Sequence, residues 1–194
     1  MLKNKLKIAI EGIDGSGKTT TAGILAEKLG GIYVATVLDK DKSGRSFFDS
    51  AERTVECRML YYLSGLWETF RLYENETLPV IYDRYKNSTL IYHQILLERS
   101  GILNSQLINN FQRISPPDAD VTFLLKTNLQ IIENRLERRC CSLHHDRLEN
   151  DHSFLKEVNK RYEKEDLIII DTTYLTPLEV ADICSDHITK MFSI

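Results

Sequence analysis

The apolar run Leu6-Lys7-Ile8-Ala9-Ile10 leads directly into Glu11-Gly12-Ile13-Asp14-Gly15-Ser16-Gly17-Lys18-Thr19-Thr20, the segment that most constrains the fold. Gly12 and Gly17 bracket four residues and are followed by Lys and Thr, the spacing of a loop that wraps phosphate groups. Glycines let backbone N–H groups converge on phosphate oxygens, and a following helix adds its positive end. A helix is expected over 20–29, with Ile24, Leu25 and Leu29 on one side. Strand, glycine turn and helix in that order place a nucleotide phosphate on Gly12, Asp14, Gly15, Ser16, Gly17, Lys18, Thr19 and Thr20. Lys18 is expected to neutralise the terminal phosphates, and Thr19 to offer its hydroxyl to Mg²⁺.

At 194 residues the chain reads as one domain, 1–194. A net charge of −3 gives no basic face for nucleic acid. Residues 1–7 lack the apolar core of a secretion signal, and the apolar runs are too short to span a bilayer. A soluble, cytoplasmic protein is therefore expected. Cys57, Cys140, Cys141 and Cys184 have no framework spacing and read as reduced thiols. Zinc is not expected at Cys140-Cys141-Ser142-Leu143-His144-His145-Asp146, because adjacent ligands rarely point at one centre.

Strands are predicted at 6–11, 32–37, 79–83, 121–126 and 167–171. They are apolar almost throughout, as strands buried on both faces of a parallel sheet are. Helix-period stripes separate them: Val55, Met59, Tyr62, Leu63, Leu66, Phe70 and Tyr73, then Leu103, Leu107, Phe111 and Ile114 before Pro116-Pro117. Thr176-Pro177-Leu178-Glu179 carries an N-cap hydroxyl, Pro at the first position and Glu three residues after the cap. The fold class is α/β, a doubly wound five-stranded parallel sheet with helices on both faces. Ligands bind such sheets at the carboxyl ends of the strands, where Asp83 also falls.

Asp83 can hold Mg²⁺ beside the phosphate loop, and Arg84 can bridge two phosphates. A second basic segment runs over 133–149 and reads as a lid. Arg135 and Arg139, four apart, share a helix face and can reach a phosphate from above. Glu133 and Glu137 can equally pair with them along a solvated helix, so spacing alone leaves both readings open.

Together these motifs resemble the thymidylate kinase family of phosphate-loop nucleoside monophosphate kinases over nearly the whole chain. The resemblance rests on Glu11–Thr19, Asp83-Arg84-Tyr85, Ser88-Thr89 with Tyr92, Pro117-Asp118, Asp146-Arg147-Leu148-Glu149, Tyr162 and Asp171. It implies transfer of the γ-phosphoryl of ATP to the 5′-phosphate of dTMP, with Mg²⁺ held near Thr19 and Asp83. Asp14 would reach the acceptor sugar, Ser88 and Tyr92 would line the acceptor site, and Arg84 would lie between the two phosphates. Relatives without Arg inside the loop supply it from the lid; Gly15-Ser16 fills that place here, which leaves Arg135 and Arg139 as catalytic cations. The adenine would rest near Thr172 and Thr173. Family members pair as symmetric homodimers, and the aromatic helix with Tyr61, Tyr62, Trp67 and Phe70 offers surplus apolar surface, which a two-sided core would also explain.

Three departures concern the acceptor. The Arg-Glu-Pro usual after strand two is replaced by 37–45, where Lys42 or Arg45 would take the acceptor phosphate. The thymine-reading Arg expected near 62–65 is missing, and Arg58 and Arg71 lie about two turns away on either side, too far for a substitution to be assumed. His93 stands where Gln is common. The alternatives are a kinase of the same fold acting on another nucleotide, nucleoside or phosphorylated small molecule, and a non-catalytic nucleotide binder. A small GTPase is disfavoured because neither Asn4-Lys5 nor Asn159-Lys160 continues as a guanine-reading motif.

Overall fold

Strands that are apolar on both faces must be covered twice, and that requirement organises the chain. The computed structural model describes residues 5–36, 43–50, 52–101, 105–138, 148 and 151–192. Its strands are β1 (Lys7–Glu11), β2 (Ile32–Ala35), β3 (Val80–Asp83), β4 (Val121–Lys126) and β5 (Ile168–Asp171). All pair in parallel, in the order β2-β3-β1-β4-β5. Each predicted strand is present: β4 keeps its predicted bounds, β1, β3 and β5 start one residue later, and β2 ends at Ala35; position 37 lies outside the described residues.

The helices are α1 (Lys18–Leu29), α2 (Ser43–Phe48), α3 (Val55–Tyr73), α4 (Lys86–Arg99), α5 (Ser105–Ile114), α6 (Leu129–Arg138), α7 (His152–Tyr162) and α8 (Pro177–Phe192). Alternate residues of β1 face opposite layers. Ile8 and Ile10 pack with Leu25 of α1 and Val180, Ala181 and Ile188 of α8. Ala9 packs with Met59, Leu63 and Leu66 of α3 and Phe111 of α5. A third cluster joins Ile91 and Ile95 of α4, Ile132 of α6 and Phe154 of α7 under the phosphate loop through Ile13. The stripe on α3 turns inward as expected, whereas Ile114 at the end of α5 is 52% exposed and Leu103 lies outside the described residues. That position is the last helical turn before Pro116-Pro117, where the chain leaves the core.

The start of α8 is the reciprocal cap its sequence requires: Glu179 N–H donates to Thr176 Oγ1 at 3.3 Å, and Thr176 N–H donates to Glu179 Oε2 at 2.7 Å. No helix among the described residues is long and apolar enough to cross a membrane. Because β1 lies at the centre, between β3 and β4, the loops leaving β1 and β3 meet at one edge, and the site is built there.

Candidate active site

The loop between β1 and α1 needs its glycines. Gly12, at φ 143°, has no room for a side chain: a Cβ there would meet Leu125 O at 2.7 Å and Ser16 Oγ at 2.8 Å. Gly15 abuts α6, so a Cβ would lie 3.0 Å from Ile132 Cγ2 and 3.4 Å from Leu136 Cγ. α6 therefore occupies the space that a longer residue at position 15 would need, and it brings its own cation. Arg135 Nη1 donates to Gly15 O at 3.1 Å. Arg139 lies outside the described residues, as do Lys42 and the Cys140–His145 cluster.

Lys18 is 5% exposed, with Nζ 2.6 Å from Ile13 O and 3.9 Å from Asp14 Oδ1. Burial, joined by the Arg84 charge, pulls its amino group down to about 8. Thr19 turns away from the loop, its hydroxyl donating to Asp83 Oδ2 at 2.6 Å. Tyr33 donates to the same oxygen at 3.2 Å. The other carboxylate oxygen, Asp83 Oδ1, is buried and has no hydrogen-bond partner among the described residues. Two hard oxygens next to the phosphate loop, one of them unclaimed, fit Mg²⁺, which favours few protein ligands and completes its shell with phosphate and water. Among the described residues no group of three or more His, Cys, Asp or Glu gathers to hold a metal alone.

Arg84 follows with φ 67°, a left-handed backbone that an Arg adopts only when its surroundings fix it. Its N–H donates to Ile10 O at 3.0 Å. Its guanidinium pairs with Asp14, reaches Gly12 O at 3.4 Å and Ser88 Oγ at 3.3 Å, and lies 5.5 Å from the centre of the Tyr92 ring. Burial alone would raise the Asp14 carboxyl; the charges of Arg84 and Lys18 overcome it and hold the group at about 2.

Two clefts open on this centre. One is lined by Gly15, Ser16, Gly17, Thr20, Arg135 and Thr172. Thr173, expected there, instead accepts the backbone N–H of Asn128 at 3.1 Å. The other cleft, about 750 Å³ with its open mouth, is lined by Asp14, Arg45, Arg58, Arg84, Tyr92 and His93 among others. Asp14 lines the second cleft; the loop pattern grouped it with the first, and the resemblance with the acceptor.

Arg58, about a turn before 62–65 on α3, lines this cleft, while Arg71 is exposed and paired with Glu74. Arg58 and Tyr62 are one helical turn apart and share a face, and the Arg side chain is long enough to make up that turn. Asp49, missed in the sequence, organises this wall. Its carboxylate accepts Tyr62 OH at 2.9 Å and Arg45 Nε at 3.2 Å, and lies 2.8 Å from Arg58 Nε.

Glu11 was also missed as a side chain. It is fully buried and accepts Tyr85 N–H at 2.9 Å, Ser88 N–H at 3.2 Å, Tyr162 OH at 3.0 Å and the Ser88 hydroxyl. α4 has no side-chain N-cap of its own, so a carboxylate from β1 supplies one and ties the Asp83-Arg84-Tyr85 turn to the phosphate loop. Glu11→Gln puts an amide donor against donors, so the melting temperature is expected to fall by about 5–10 °C. A calorimetric scan within about 1 °C of the parent would contradict this role.

The family model described as thymidylate kinase matches residues 10–181. The chain belongs to the thymidylate kinase family. It is 31% identical over 159 residues to a probable thymidylate kinase of Methanococcus aeolicus, covering 80% of this chain and 76% of that one. It is 28% identical over 187 residues to its counterpart in Methanocaldococcus jannaschii, covering 89% and 90%. Among solved structures, thymidylate kinase from Candida albicans superposes with TM-score 0.76 at 20% identity, covering 97% of this chain and 92% of that one. A deoxyadenosine kinase from M. mycoides superposes with TM-score 0.72 at 18% identity, covering 95% and 100%. These last two likenesses concern the fold. In this chain the phosphate loop, the Asp83-Arg84 turn and Arg135 of α6 stand together at the sheet's carboxyl edge.

Proposed function

We propose that the chain transfers the γ-phosphoryl of ATP to the 5′-phosphate of dTMP. The observation that carries this reading is the meeting of two clefts across Arg84 and the loop, one phosphate-wrapping and one ringed by Arg45, Arg58 and Arg84. ATP lies along Gly12–Thr20 with its terminal phosphates on Lys18, and the acceptor enters the second cleft beside Tyr92. Arg84 spans the gap between donor and acceptor phosphates, with Asp14 fixing its guanidinium until a substrate arrives. Asp83 and Thr19 would hold Mg²⁺, which supplies charge neutralisation on the transferred phosphoryl. Nothing covalent is asked of the protein: it positions two anions in line and stabilises charge that spreads onto the equatorial oxygens. The α6 contact with Gly15 closes the donor side and excludes water, so that ATP is not spent on hydrolysis.

Release of ADP with ATP and a panel of dTMP, dUMP, UMP, dCMP, thymidine and buffer tests the reading. Turnover with dTMP well above buffer is expected; turnover with none of the panel contradicts it. The lid role predicts a split. Arg135→Ala should lower kcat by about 30-fold while the Kd for ATP moves less than about threefold, as for a group that acts on transition-state charge. Equal losses in kcat and affinity would make Arg135 a ground-state contact instead.

A further inference from the structure

Arg84 keeps its left-handed backbone, φ 67°, because both peptide planes that flank it are tied down. The plane before it is held by the Arg84 N–H, which donates to Ile10 O at 3.0 Å, and by Asp83 O, which accepts the Thr36 N–H at 3.3 Å. The plane after it is held by the Tyr85 N–H, which donates to the Glu11 carboxylate at 2.9 Å. The other end of that plane, Arg84 O, accepts the Thr36 hydroxyl at 2.9 Å. The same hydroxyl lies 3.1 Å from Asp83 O, so one hydrogen is shared between the carbonyls of the two planes. Thr36 therefore bridges the planes whose relative rotation sets the φ and ψ of Arg84.

The fold leaves Thr36 no other place. Ala35 is the last residue of β2 and pairs with Asp83, so the next residue falls beside the turn. A β-branched side chain has few rotamers open to it, which keeps the hydroxyl aimed. A left-handed Arg is unfavourable and persists only where its surroundings fix it from several sides. With the Thr36 tie removed, the backbone can relax toward the right-handed region and swing the side chain. That side chain is the guanidinium that pairs with Asp14 and reaches Gly12 O and Ser88 Oγ.

We infer that Thr36 is a positioning residue for phosphoryl transfer: its hydroxyl locks the left-handed turn that aims the Arg84 guanidinium between the two clefts. This rests on the proposed place of Arg84 between donor and acceptor phosphates. Thr36 also lines the acceptor cleft, but its hydroxyl hydrogen is spent on backbone carbonyls, so it acts through Arg84.

The test compares Thr36→Val, Thr36→Ala and Thr36→Ser with the parent, using ATP and dTMP. Val puts a methyl group, which cannot donate, against two carbonyls; kcat should fall by about 30-fold while the KM for dTMP stays within about threefold. Thr36→Ala removes the hydroxyl without crowding and should lose about tenfold in kcat, whereas Thr36→Ser keeps it and should stay within about threefold of the parent. In an Arg84→Ala background, Thr36→Val should cost less than about twofold, because no guanidinium is left to aim. Independently of turnover, the Asp14 carboxyl, held at about 2 chiefly by the Arg84 charge acting against burial, should rise by about 0.5 or more in Thr36→Val and stay put in Thr36→Ser, as followed by NMR titration.

A Thr36→Val kcat within about twofold of the parent, or equal losses in Thr36→Val and Thr36→Ser, overturns the inference and leaves dTMP phosphorylation standing. An undiminished loss in the Arg84→Ala background overturns it too, because Thr36 would then act without Arg84. Should Thr36→Val fail to fold, Thr36→Ala against Thr36→Ser decides. A parent that does not turn over dTMP removes the proposed function, and an unmoved Asp14 titration then removes the aiming of Arg84 as well.

Discussion

Lys18→Ala is expected to lower kcat/KM by about a thousandfold or more, roughly 4 kcal/mol of transition-state stabilisation. The expectation follows from where the fold puts the ammonium. It is stripped of water, tethered 2.6 Å from Ile13 O and aimed by the first turn of α1, so little reorganisation remains when charge develops. The native site disfavours that charge before nucleotide arrives, as the fall to about 8 records. The sign therefore matters: a lowered lysine pKa means that folding opposes the charged form at pH 7, so removing it should not lower stability through electrostatics. A melting temperature within a few degrees of the parent, with phosphoryl transfer abolished, is the expected pair of results. Near-normal turnover in a folded variant would remove the loop from the mechanism.

Arg84→Ala is expected to lower kcat by about 300-fold with a smaller rise in KM for the acceptor. The guanidinium is the one group in contact with Asp14, the phosphate loop carbonyl of Gly12 and the Ser88 hydroxyl together, among the described residues. Its planar fork allows it to leave Asp14 and bridge two phosphates without losing its own geometry. Arg84→Lys keeps the charge and loses the fork, so it should recover less than about a tenth of the lost rate. Deleting Arg84 also leaves Asp14 without its main partner, and the carboxyl should rise from about 2 toward ordinary values, which NMR titration can follow. A kcat within about tenfold of the parent in Arg84→Ala would contradict this placement.

Much of this was legible in the sequence, for reasons that differ from element to element. β1 and β3 are apolar runs because α1 and α8 cover one face while α3 and α5 cover the other, and β4 is one because its second face packs on α4, α6 and α7. The Asp83-Arg84 turn could be placed beside the loop because β3 pairs directly with β1. Glu11 was hidden for the opposite reason. A carboxylate ending an apolar run gives no sign of its partners, and Ser88 and Tyr162 lie 77 and 151 residues away. That Arg58 lines the acceptor cleft was not legible, because distance along a helix axis gives neither the reach of the side chain nor the direction of the cleft. Asp49, which gathers Arg45, Arg58 and Tyr62, has no motif at all. The donor half follows from local spacing, whereas the acceptor half depends on contacts between α2, α3 and α4 that only the fold brings together.

The most direct test follows the phosphorus itself. ATP labelled at the γ-phosphorus is incubated with dTMP and Mg²⁺, and the nucleotides are separated. The account predicts label in the β-phosphate of dTDP, one for each ADP formed. Label recovered only as inorganic phosphate, or no dTDP at all, would contradict it.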